Sequence, residues 1–92
     1  MTSLEEYLTA DELEFVKELG VSKIRVIQKG IVTDYVRFLK LIIPKEVRKL
    51  VIIGDKFTID NISKDLKNIN FNNFVIYYFI RDSLNDKIFV LF

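Results

Sequence analysis

Lys29-Gly30 falls where the spacing of apolar residues changes character, and that corner is the first place in the chain to look for chemistry. Ile24 to Gln28 alternates apolar and polar, as a strand does, and Val32, Tyr35, Val36 and Leu39 then recur at helical spacing. A strand that breaks at Lys-Gly and feeds a helix sets an ammonium group beside free backbone N–H groups, an arrangement suited to an anion such as a phosphate. Other cations fall in step with it. Lys23, Arg25 and Lys29 alternate along the strand, Arg37 and Lys40 lie on the following helix, and Lys56 belongs to a second turn, Gly54-Asp55-Lys56. Lys29, Lys56, Arg25, Lys23 and Arg37 are therefore the candidate contacts to a nucleic-acid backbone. Lys29 comes first among them, because a strand–helix turn offers no packing reason for a lysine. Each phosphate contact releases condensed counterions, so the expected binding weakens steeply with salt.

Two other chemistries compete. Asp34, Asp55 and Asp60 are carboxylates of the kind that hold a divalent ion, but they would have to converge with a lysine to cleave a phosphodiester. Asp60 is more simply read as a first-turn residue complementing a helix dipole. Tyr77-Tyr78-Phe79 offers rings on which bases could stack; strand alternation puts Tyr77 and Phe79 on one face and Tyr78 on the other, so at most one set is exposed. The chain has no histidine and no cysteine, which removes the commonest general base and metal ligand as well as disulfides and thiolate sites. We expect no catalytic residue, no metal, no cofactor and no small-molecule substrate.

Charge is divided unevenly along the chain. Residues 1–20 hold six carboxylates and one lysine, a local charge of −5, and residues 21–92 hold thirteen Lys or Arg against seven Asp or Glu, a local charge of +6. An acidic arm beside a basic body predicts either two solvated faces or a binding surface guarded by its own acidic helix. Met1 to Leu8 lacks the basic and apolar regions of a signal peptide, and the longest apolar run, Phe74 to Ile80, is strand-sized. A cytoplasmic protein without a membrane partner is expected.

These residues need elements to position them. Thr9-Ala-Asp-Glu12 reads as a capping box that opens a helix, with Leu13, Val16 and Leu19 as its apolar stripe and Gly20 as its stop. Val21 to Gln28 predicts the first strand, and Ile31 to Ile43 a helix ended by Pro44. Leu50 to Ile53, apolar throughout, predicts a central strand. Ile59, Ile62, Leu66 and Ile69 mark an amphipathic helix, followed by an Asn-rich break from Asn68 to Asn73. Phe74 to Arg81 and Lys87 to Phe92 read as two strands joined in a hairpin by Asp82 to Asp86. The whole is one domain, residues 1–92. A helical extension over 1–20 precedes a β-α-β-α-β-β core over 21–92, an α/β two-layer sandwich. Ninety-two residues bury a modest core, and the apolar ending Phe89, Leu91 and Phe92 seeks a neighbour, so a homodimer through the second core helix or the terminal strands is expected.

The stretch Ile24-Arg-Val-Ile-Gln-Lys29-Gly-Ile-Val32-Thr-Asp-Tyr35-Val36, followed by Val47-Arg-Lys-Leu-Val-Ile-Ile53 and Gly54-Asp-Lys56-Phe-Thr-Ile59, resembles the Alba family of archaeal chromatin and RNA-associated proteins. The resemblance runs from about residue 22 to 92. It implies the β-α-β-α-β-β sandwich, DNA or RNA as partner, and phosphate contacts from the turn at Lys29. The chain departs from that family at Gly30, where a second lysine is usual, and at Asp82–Asp86, which is short and acidic in place of a long basic arm. Those departures, with the acidic helix, support an alternative: a protein-interaction or scaffold module, viral or plasmid-encoded, that has lost the binding surface. Two further likenesses point to transcription regulators. Glu18-Leu-Gly-Val-Ser22 resembles the turn of a helix-turn-helix, and Ile43-Pro-Lys-Glu-Val-Arg-Lys-Leu50 resembles AbrB-type swapped hairpins.

Overall fold

The computed structural model describes residues 3–67 and 74–92. The break expected from Asn68 to Asn73, and Ile69 of the helical repeat, lie outside the described residues.

A 3₁₀ turn, Leu4–Glu6, leads into α1 (Ala10–Leu19). The capping box forms as its spacing predicts: the Thr9 hydroxyl accepts from Glu12 N at 3.3 Å and the Glu12 carboxylate accepts from Thr9 N at 2.9 Å. Gly20 ends α1 at φ 77°, a left-handed conformation that glycine adopts without a Cβ penalty, and Val21 N then reaches back to Val16 O at 3.0 Å. The chain next forms β1 (Ile24–Gln28), not a recognition helix, which overturns the helix-turn-helix likeness. Alternating β-branched residues favour the strand here. A 3₁₀ turn, Lys29–Ile31, separates β1 from α2 (Tyr35–Ile42). The helix is shorter than Ile31–Ile43 because Asp34, in an extended conformation, caps it by accepting from Arg37 N at 3.1 Å. Pro44 keeps Ile43 extended and closes it. Then come β2 (Lys49–Gly54), α3 (Lys56–Leu66), β3 (Val75–Ile80) and β4 (Lys87–Leu91).

The sheet order is β1-β4-β2-β3, with β2 and β3 parallel and β4 antiparallel to both β1 and β2. The expected terminal hairpin is therefore corrected: β4 does not pair with β3, because the connection crosses β2 and β4 inserts between β1 and β2. Ile53 lies opposite Phe89 on one side and Phe79 on the other, so the 81–86 connection spans two inter-strand spacings, about 10 Å. It turns through Asn85 and Asp86 at φ 47° and 62°, residue types that tolerate the left-handed region. Burial explains the insertion. Ile88 to Leu91 are all buried, as a central strand requires, whereas β3 is half-buried at an edge. The apolar ending thus finds its neighbours within the chain.

Side chains alternate between two faces. Leu50, Ile52, Ile88 and Val90 pack with Ile59, Ile62 and Leu66 of α3 and Leu39 of α2. Val51, Ile53, Phe89 and Leu91 pack with Leu8, Val16 and Val21 from the N-terminal segment. The core is the expected α/β sandwich, and α1 adds a third layer on the opposite face. Val16 is fully buried, and each buried aliphatic side chain contributes about 1.5–3 kcal/mol. The acidic segment is a layer of the fold, held by its apolar stripe, and it cannot swing away as a guard without uncovering the sheet. No helix among the described residues is long and apolar enough to cross a membrane.

Candidate nucleic-acid interface

The sheet has two ends of different chemistry. At the first, β1, β2 and β3 finish and α2 and α3 begin. Lys29 stands here, but it is not the free, exposed cation the sequence suggested: its Nζ lies 3.0 Å from Asp55 Oδ2, with both side chains about one-quarter to one-third exposed. Asp55 in turn caps α3, accepting from Thr58 N at 2.8 Å and Thr58 Oγ1 at 2.9 Å. The bond from Thr58 N, and then that from Lys29, hold the Asp55 carboxyl below the usual aspartate range. The same pairing holds Lys29 above the usual lysine value, against some desolvation. Tyr35 packs nearby, its hydroxyl pushed up by burial and drawn partly back by Lys29.

Two backbone donors of this corner are also engaged. Lys29 N donates to Asp86 O at 2.7 Å, and Lys56 N donates to the Asp82 carboxylate at 3.2 Å. Lys56 Nζ meets Asp60 at 3.0 Å, an exposed pair of little strength. The anion-ready corner is thus filled by the chain's own aspartates. The three aspartates weighed as metal ligands divide the same way: Asp34 and Asp55 cap helices and Asp60 pairs with Lys56. No cluster of three or more potential metal ligands occurs among the described residues.

Two of the remaining candidates lie at the opposite end, where β1 and β2 start and β4 finishes. Lys23 N donates to Phe92 O at 2.8 Å and Phe92 N to Lys23 O at 2.9 Å, extending the β1–β4 ladder by one pair. Lys23 and Arg25 line a concavity of about 440 Å³ with Ile42, Pro44 and Phe92. It adjoins a second of about 280 Å³ lined in part by Arg48, Lys49 and Phe92, and a third of about 190 Å³ lined in part by Lys40, Pro44, Lys45 and Arg48. Six cations line the three concavities and no lining residue is acidic. Arg48 is shaped by the loop, donating to Lys45 O at 2.8 Å and Val47 O at 3.0 Å, and Lys49 Nζ donates to Leu19 O at the end of α1 at 3.3 Å. None of the six forms an ion pair among the described residues. The nearest acid in sequence is the exposed Glu46.

Sequence reasoning placed Lys23 and Arg25 among the candidates, noted Lys40 on the helix that follows, and missed Lys45, Arg48 and Lys49. Their signal was a charge run of three cations in five residues beside Pro44. Arg37 belongs to neither end: it sits on the outer side of α2 with Ile31, Phe38 and Leu41. The tyrosine platform is absent. Tyr77 and Phe79 pack edge-on against Phe15 of α1, with ring centroids 5.5 and 4.9 Å away, and Tyr78 packs toward α2 and α3.

No curated protein and no solved structure matches the chain. The sequence pattern described as domain of unknown function DUF4898 matches residues 11–90, from the first turn of α1 to the penultimate residue of β4. That span reaches into every α-helix and strand of the described residues, and the chain belongs to the DUF4898 family.

Proposed function

We propose that the protein is a small cytoplasmic nucleic-acid-binding protein, not an enzyme, that contacts the phosphate backbone with low sequence specificity. The observation that carries this reading is the set of adjoining concavities lined by six cations and no Asp or Glu side chain. The resemblance of residues 22–92 to the Alba family points to the same ligand class, though through a different part of the surface. If all six cations meet phosphates, log K falls with log salt with a slope of about −4 to −5. Titration of labelled DNA and RNA at two salt concentrations tests this. Absence of binding at low salt, or binding unchanged by Arg25→Glu with Lys45→Glu, refutes it.

A second feature supports self-association. Ile31 and Leu41 are 79% and 76% exposed, and with Asp34, Arg37 and Phe38 they line one outward concavity on α2. We propose a homodimer in which two α2 helices pack antiparallel. This would cover Phe38 and Leu41. Sedimentation of a strict monomer at high concentration, or of an unaltered dimer in Leu41→Glu, rejects it.

A further inference from the structure

The basic end contains an aromatic ring at its centre, and this bears on which nucleic acid fits. Phe92 lines both larger concavities, between Lys23 and Arg25 on one side and Arg48 and Lys49 on the other. Its backbone exchanges both hydrogen bonds with Lys23, which makes the two a directly opposed pair with side chains on the same face of the sheet. Arg25 is two residues further along β1 on that face, in the diagonal position that long side chains reach. Lys23 and Arg25 are about 7 Å apart along the strand, of the same order as the step between successive phosphates of an extended single strand. Ile42 and Pro44 from the end of α2 complete the apolar wall, and Phe92 itself is half-buried.

We propose, resting on the phosphate-binding reading, that the ligand of this end is single-stranded nucleic acid, with one base seated on Phe92 and Pro44 and its flanking phosphates held by Lys23 and Arg25. The shape favours this over duplex. The three cavities are recessed around the 43–48 loop, whereas reading a duplex groove calls for a projecting helix, ribbon or arm. An unstacked base fills a recess that a paired base cannot enter, and base–aromatic stacking tolerates any sequence, consistent with low specificity. The aromatic residues of β3 cannot serve instead, because α1 covers Tyr77 and Phe79.

Fluorescence anisotropy of the full chain at low salt, with a single-stranded oligonucleotide, its abasic counterpart, the matching duplex and polyglutamate, tests the assignment. The base-bearing strand should bind roughly tenfold more tightly than the abasic strand, as loss of one stacked base predicts. Phe92→Leu should remove that difference. Phe92→Trp provides a separate readout in a chain without tryptophan: its emission should be quenched by the base-bearing strand and not by the abasic one. Equal affinity for base-bearing and abasic strands, or tighter binding of duplex, overturns the single-strand assignment while leaving the phosphate reading intact. Polyglutamate binding as tight as the oligonucleotide, or no binding of any probe, overturns both.

Discussion

The two ends of the sheet both hold cations and treat them in opposite ways. Where β1, β2 and β3 finish, Lys29 and Lys56 each face an aspartate and Arg81 faces Glu12. Where β1 and β2 begin, six Lys and Arg face none. The topology supplies a reason. All three helices start at the first end and finish at the second: α2 and α3 because each follows a strand of the sheet, and α1 because Tyr7 O lies beside Arg81 and Leu19 O beside Lys49. Helix N-termini leave unsatisfied N–H groups that aspartates cap, and those aspartates then neutralise nearby lysines. Helix C-termini favour cations, and no acidic residue lines the concavities there. One end therefore has its cations paired, and the other has cations without an acidic partner among the described residues.

The largest test of that contrast is Glu12→Ala. Glu12 is 5% exposed and lies 3.1 Å from Arg81, which also donates to Tyr7 O at 2.8 Å and lies over the Phe89 ring at 5.2 Å. Arg81 Nε is buried without a hydrogen-bond partner, so the guanidinium has no slack to absorb the loss. Removing the carboxylate leaves a largely buried cation uncompensated and breaks the capping box. We expect about 3 kcal/mol of lost stability by urea unfolding, and no loss of oligonucleotide affinity in the fraction that remains folded. A loss under 1 kcal/mol breaks the stability half of the comparison.

At the other end the effects should exchange places. Arg25→Glu with Lys45→Glu is expected to lower low-salt affinity about 100-fold and flatten the salt slope by about 1.5–2, as removal of two phosphate contacts predicts. The unfolding free energy should change by no more than about 1 kcal/mol, since these cations serve at most a helix terminus. Asp55→Ala tests the first end at an intermediate scale. Loss of the α3 cap costs about 1 kcal/mol, read as a lower denaturation midpoint at unchanged m-value.

How much of this was legible depended on the range of the interaction. The α1 cap is written in four consecutive residues, Thr9 to Glu12, and the stop in Gly20, so both could be read directly. The strand identity of β2 and β4 was equally local. The neighbours of β4 were not, because a loop of turn-forming residues gives the same signal whether the next strand lies beside the last or one strand beyond it. The continuous apolar run from Ile88 to Leu91 was the available clue that this strand belonged at the centre. The candidate site shows the same divide. Lys29 was visible as a turn cation, but its partner Asp55 is 26 residues away, brought close only when β1 and β2 flank β4. The same arrangement gathers Lys23 and Arg25 with Lys45, Arg48 and Lys49, so no single window of sequence contains the basic end.

The smallest expected effect isolates charge from capping. Asn caps a helix about as well as Asp, so Asp55→Asn should keep the bond from Thr58 N and lose the charged oxygen that accepts from Lys29. Because the folded protein holds the Asp55 carboxyl below its ordinary value of about 3.9, its ionised form favours folding. That contribution is complete above the ordinary value and disappears as pH falls through the lower, folded one. Lys29 is shifted the other way, so its share of the pair is complete below the ordinary lysine value and is lost only as pH rises through the higher, folded one. Unfolding curves of the wild type and Asp55→Asn should therefore differ by a small constant amount across neutral pH and converge as pH falls below the ordinary aspartate value. A difference that persists unchanged into acid would mean that Asp55 works through cap geometry alone. The neutralisation that sets the two ends apart would then contribute nothing to stability.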